Sequence, residues 1–235
     1  MPTYQTLAIV IGRTNFGEAD RIIRLLTPAH GKISAVAKGV RKIKSRLAGH
    51  LELFGETNLT LATGRNLDVI SGAQLMWYPH ELATDYQRIS LAYAFATLID
   101  RTAAERQPQT GLYSHLNQAL HALEKGQGSQ LLELWFKLRL LNLTGVRPEL
   151  SHCVICGTAD PAQTYALKLA AGGIVCRNDA GAGDAPMSLP AIKLWRLLSD
   201  YPYDTVATIS DGPALATATL PLCNAFCEYH LNIKL

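Results

Sequence analysis

The sequence predicts an α+β chain of more than one domain: a small N-terminal β-barrel, then a C-terminal α-helical domain interrupted by a cysteine-containing hairpin. Three observations predict it. Residues 6 to 75 read as short β-forming runs separated by turn signals. Beyond Pro79 the apolar residues recur at intervals of three and four, and Cys153 and Cys156 form a CxxC within a stretch that breaks this helical pattern.

The β-forming runs are Leu7 to Arg13, Arg21 to Thr27, Lys32 to Lys38, Leu51 to Thr63 and Leu67 to Leu75. The turns between them fall at Asn15-Phe16-Gly17, Pro28-Ala29-His30-Gly31 and Thr63-Gly64-Arg65-Asn66. Five strands in so short a length suit the OB-fold, a barrel that removes exposed edges and leaves its loops free to bind. The expected division is therefore residues 1–78 for the barrel and 79–235 for the helical domain.

In the second domain Leu91, Phe95, Leu98 and Ile99 share one helical stripe, and Leu112, Leu116, Leu120 and Leu123 another. The run Leu131 to Leu143 is apolar on most faces and stops at Gly145, with Pro148 after it. A cysteine- and glycine-containing insert occupies about 150–186. Leu189 to Leu198 and Ala214 to Leu231 close the chain as helices, the latter carrying Cys223 and Cys227 as core thiols.

Charge is distributed unevenly. Residues 1–50 hold nine Lys or Arg against Glu18 and Asp20, a balance of +7, whereas the remainder carries −4. Such a field at one end points to a polyanionic partner. Five of the cations, Lys38, Arg41, Lys42, Lys44 and Arg46, stand in nine positions directly after a predicted strand, with no acidic residue between Asp20 and Glu52. They are not spaced for one helical face, and Gly39 relaxes the backbone, so a loop or strand edge that tracks a phosphate chain is expected. Arg13, Arg21, Arg24 and Lys32 extend the patch if they face outward. Phe16, in a turn, is the stacking candidate, and Phe54, in an apolar strand context, is assigned to the core.

Cys153-Val154-Ile155-Cys156-Gly157 has the form of one zinc knuckle. Cys176-Arg177-Asn178-Asp179 follows at the spacing of a second, but ends in Asp. Two readings stand: a three-cysteine site completed by Asp179 or His152, or a metal-free hairpin held by packing. Either is structural.

Signatures of catalysis are missing. There is no GxxxxGK[ST], no GxSxG and no HExxH, and Gly181 to Pro186 lacks the third glycine of a dinucleotide loop. A binding protein is expected rather than an enzyme, with no nucleotide cofactor. No apolar run reaches the roughly 18 residues of a membrane helix, and Arg13 follows the short apolar start where a signal peptide would place its cation first. A cytoplasmic, nucleoid-associated location is expected.

Three passages resemble a bacterial family of recombinational repair proteins, RecO. They are Ala8-Ile9-Val10 with Phe16 to Asp20, Leu26-Thr27, Gly31-Lys32-Ile33 and Ala37 to Arg46; Leu134 to Leu141 with Gly145, Pro148-Glu149-Leu150 and Cys153 to Gly157; and Tyr229-His230-Leu231 with Lys234-Leu235. The resemblance implies an N-terminal OB-fold and a helical domain with an inserted zinc-ribbon-like hairpin. It also implies binding of single- and double-stranded DNA and annealing of complementary strands. RecA would be loaded onto DNA coated with single-strand-binding protein, together with RecR. A structural Zn2+ would sit on Cys153, Cys156, Cys176 and Asp179, the last a departure from the four-cysteine pattern. The acidic C-terminal tail of single-strand-binding protein would dock on the helical domain, with Lys137 and Arg139 as one place. RNA-directed OB proteins, a zinc-dependent nucleic-acid enzyme, and adaptors that dock an acidic protein are the alternatives to DNA annealing.

Overall fold

The structure, a computed structural model, describes residues 2–160 and 164–234, and the chain divides into two compact units, Met1–Gly126 and Gln127–Leu235.

The first unit is built on five strands: β1 (Thr3–Phe16), β2 (Asp20–Thr27), β3 (Gly31–Ala37), β4 (Glu56–Ala62) and β5 (Asp68–Trp77). They close a barrel in the order β1-β2-β3-β5-β4. Closure needs one parallel contact, Ala35 with Asp68 and Val36 with Val69, and the antiparallel pairing of β4 with β1. Alternation along each strand sends Ala8, Val10, Ile23, Leu25, Ile33, Ala35, Leu59, Leu61 and Ile70 to the interior. Ile9 and Leu26 point the other way yet are fully buried. Two helices explain this: α1 (Tyr86–Thr102) packs on β1 and α2 (Thr110–Glu124) on β2. The compact unit thus carries the chain on past residue 78.

One expected strand is shorter than its sequence suggests. Leu51 to Gly55 is not extended: Phe54 has φ 68°, its N–H donates to the Val10 carbonyl, and β4 begins only at Glu56. The apolar residues of this stretch face inward from a turn. Leu51 is buried in the barrel core, and the Phe54 ring meets Tyr93 edge-on at 5.1 Å. Phe54 is a core residue, as expected, and Phe16 is half exposed at the end of β1.

In the second unit α3 (Gln130–Leu143) is the central helix, capped by Ser129 and buried over most of its circumference. α4 (Leu189–Asp200) and α6 (Gly212–Leu231) pack on it, and a short α5 (Tyr203–Val206), which the apolar pattern does not reveal, links them. Trp135 and Trp195 are fully buried, their indole N–H groups donating to the Tyr201 carbonyl and the Thr219 hydroxyl. Cys223 and Cys227 are core thiols. The insert is a three-stranded sheet of β6 (Tyr165–Lys168), β7 (Gly173–Cys176) and β8 (Ala185–Met187) in the order β7-β6-β8.

Candidate nucleic-acid interface and cysteine cluster

The five clustered cations stand on the loop that follows β3. Lys38, Arg41, Lys42, Lys44 and Arg46 are all exposed. The loop is nevertheless tied down. Gly39 takes φ 65°, a left-handed turn that glycine adopts without strain, and its N–H donates to the Asp20 carboxylate at 2.7 Å. The Arg41 N–H donates to the Ala19 carbonyl at 2.9 Å, and its guanidinium to the Gly17 carbonyl at 3.2 Å. Val40 is buried and Leu47 packs against the barrel interior, so both ends of the loop are anchored. The arrangement holds several positive charges at fixed positions along one rim, which lowers the ordering cost of gripping a phosphate chain.

The other predicted cations are spent differently. Arg13 pairs with Glu52 at 2.7 Å. Arg24 and Lys32 converge on Asp100 of α1, Arg24 at 3.0 Å and Lys32 at 3.6 Å from the carboxylate, and the Lys32 ammonium also donates to the Asp100 carbonyl at 2.5 Å. Lys32 is thus largely covered and joins barrel to helix. Arg13 and Arg24 still border a cleft of about 250 Å³ between β1 and α1, lined also by Leu53 and the exposed Tyr93. Arg21 reaches Asn15 at 3.2 Å on the exposed hairpin. No sequence signal identifies Asp100 as the partner of two cations more than sixty positions earlier.

In the second unit the insert brings Cys153, Cys156, Cys176 and Asp179 together, every donor atom within 4.8 Å of the others. Two tight turns do this. Gly157 (φ 77°) lets its N–H return to the Cys153 carbonyl, and the N–H groups of Asp179 and Ala180 return to that of Cys176. The Asp179 carboxylate lies 3.2 Å from the sulfurs of Cys153 and Cys176, and the sulfurs of Cys156 and Cys176 are 3.7 Å apart. A tetrahedral zinc with Zn–S bonds near 2.3 Å spaces its sulfurs by about 3.8 Å, so this donor set fits the ion. His152 is not part of it; its ring faces Ser151 and Glu149. With thiols and carboxylate so close, the hydrogen bond to Asp179 pushes Cys156 up to about 12, and the thiols hold Asp179 below the usual carboxylate range. A divalent cation would relieve that crowding by replacing the shared protons.

The two cations of α3 differ in how far they are covered. The Lys137 side chain is almost wholly buried, its ammonium held by Glu133 at 2.5 Å and the Asn224 amide oxygen at 2.7 Å. Arg139 is half-buried and lies 3.5 Å from the Ser199 carbonyl. His230, beside Tyr229, pairs with the Leu169 carbonyl at 2.9 Å and stacks on Phe226. Among the described residues no helix is long and apolar enough to cross a membrane.

Comparison with known proteins also gives two parts, with the boundary near residue 80 rather than at the boundary of the two compact units. The family models described as recombination protein O N terminal and recombination protein O C terminal match residues 1–78 and 83–235. A protein of Roseiflexus sp. (strain RS-1) described as DNA repair protein RecO is 38% identical over 97% of this chain and 81% of its own length. Relatives with the same description from Bifidobacterium adolescentis and Dehalococcoides mccartyi (strain 195) are 34% and 32% identical, covering 99% and 84% of this chain and 96% and 78% of their own lengths.

Proposed function

From the chain's membership of the recombination protein O family, we propose that this DNA repair protein is a recombination mediator that holds DNA and catalyses no bond chemistry. It binds single- and double-stranded DNA through the loop Lys38 to Arg46, anneals complementary strands, and with RecR helps load RecA onto DNA coated with single-strand-binding protein. The observation that carries this reading is the tied loop, with its five exposed cations and no acidic residue among them. Two single strands repel each other. A protein that neutralises phosphates on both lowers that repulsion without touching base edges, so pairing can nucleate. No nucleotide enters this scheme, and its place of action is the nucleoid in the cytoplasm. The acidic tail of single-strand-binding protein docks on the helical domain at a place other than the buried Lys137. One Zn2+ held by Cys153, Cys156, Cys176 and Asp179 has a structural role, fixing the two turns of the hairpin.

The test is an annealing reaction between two fluorescently labelled complementary DNA strands, bare or coated with single-strand-binding protein, without nucleotide. The chain accelerates annealing in both cases, and replacing Lys38, Arg41, Lys42 and Lys44 by Ala removes most of the acceleration. A marked preference for RNA at fixed salt, or binding only to acidic proteins, would overturn the reading.

A further inference from the structure

The loop that carries the cations also carries an apolar side chain that the barrel does not use. Ile43 has a relative exposure of 104%, the largest for a large hydrophobic residue among the described residues; the next is Tyr86 at 86%. Val40, Ile43 and Leu47 are spaced so that a helix would turn all three to one face. Val40 and Leu47 do go to the barrel interior, but the chain between them makes separate turns, Lys42 N–H to Gly39 carbonyl and Ser45 N–H to Lys42 carbonyl. Ile43 is left at the apex, between the exposed Lys42 and Lys44.

A single exposed apolar residue is ordinary on a protein surface. This one is held at a fixed place among cations by anchors on both sides. Whatever covers it must present apolar area inside a negatively charged frame. Nucleobases between phosphates do so, and small aliphatic wedges set among basic residues are used to press on base steps. An anionic bilayer has related chemistry, but one isoleucine buries too little area to hold a membrane.

We propose that Ile43 is a base-contacting wedge: the flanking lysines grip phosphates and the isoleucine packs against an unstacked base face. This rests on the DNA-binding reading above. It gives that binding a component that does not depend on salt, and holds bases apart from their own strand's stack.

The test compares the wild-type chain with Ile43→Ser and Ile43→Leu on a single-stranded oligonucleotide carrying 2-aminopurine, across a salt series. Because the side chain lies outside the core, neither substitution disturbs folding. Ile43→Ser keeps the salt slope of the wild type, binds about five- to tenfold more weakly, and loses the fluorescence rise that reports unstacking. Ile43→Leu keeps both. Unchanged affinity and fluorescence in Ile43→Ser, with the wild type binding normally, would overturn the wedge. So would a loss confined to phosphatidylglycerol vesicles. A wild-type chain that binds no DNA would instead sink the DNA-binding reading, and the wedge with it.

Discussion

The Asp20 carboxylate accepts the Gly39 N–H at 2.7 Å, so one of the two acidic residues in the basic N-terminal stretch fastens the loop that carries the cations. Charge counting and geometry then make opposite predictions for its removal. By charge alone, losing Asp20 strengthens the attraction for DNA; by geometry, it frees the loop. Asp20→Asn keeps an acceptor and sheds the charge, and is expected to bind DNA at least as tightly as the wild type. Asp20→Ala is expected to bind about threefold more weakly than Asp20→Asn and to lose about 1 kcal/mol of stability. Fluorescence anisotropy and thermal melting of the pair check this.

The exposed and the paired cations should separate in a salt titration. Replacing Lys38, Arg41, Lys42 and Lys44 by Ala removes up to four phosphate contacts, and the slope of log affinity against log salt for single strands should flatten by about 3, with the melting temperature lowered only slightly, through the lost hydrogen bond from Arg41 to the Gly17 carbonyl. Lys32→Ala breaks the contact with Asp100 instead. It is expected to cost about 1 kcal/mol of stability with the slope almost intact.

The cysteine cluster makes a prediction about metal. The purified chain should carry one zinc, measured by atomic emission. Cys176→Ser should lose it, Asp179→Ala should hold it more weakly, and Asp179→Cys more tightly, because a thiolate is the softer donor. Chelation should lower the melting temperature of the wild type but not of Cys176→Ser. A metal-free chain whose melting ignores both zinc and chelator would mean that packing alone holds the hairpin.

Acid stability should report on the barrel seam. Asp68 is fully buried, and burial pushes its carboxyl up, but the Tyr4 hydroxyl at 2.6 Å, the Gly64 N–H and the Arg106 guanidinium together hold it below the ordinary range. A carboxyl depressed in the folded state contributes stability above its unfolded value, and that contribution disappears as pH falls through the folded one. Tyr4→Phe removes one lowering hydrogen bond. It is expected to cost about 1 kcal/mol at neutral pH and to move the midpoint of acid unfolding to higher pH, followed by circular dichroism.

Much of this was legible from short-range pattern. The alternation of Ile23 with Leu25 and of Ile33 with Ala35 and Ala37 marks strands that bury one face, and the stripe from Leu112 to Leu123 marks a helix. Those periods follow from backbone geometry, which a few residues express locally. The stretch from Leu51 to Gly55 misled because apolar composition does not distinguish a strand from a turn that points inward; the left-handed Phe54 is set by the Val10 carbonyl, more than forty residues away. The missing turn of helix at Tyr203–Val206 is too short to show a period.

The sequence by itself determined the order of the barrel strands and of the long helices, the surplus of positive charge in the first fifty residues, and three of the four donors of the knuckle pair in their familiar spacing. Only the tertiary structure decided which charges are available. Lys38, Arg41, Lys42, Lys44 and Arg46 stay in water, Arg24 and Lys32 meet Asp100, and Lys137 is buried against Glu133 and Asn224. It likewise placed Asp179 with the cysteines and turned His152 away. The physical reason is one of range: periodicity and composition are properties of neighbouring residues, whereas an ion pair or a ligand set depends on side chains that only the closed barrel and the folded hairpin bring within a few ångströms.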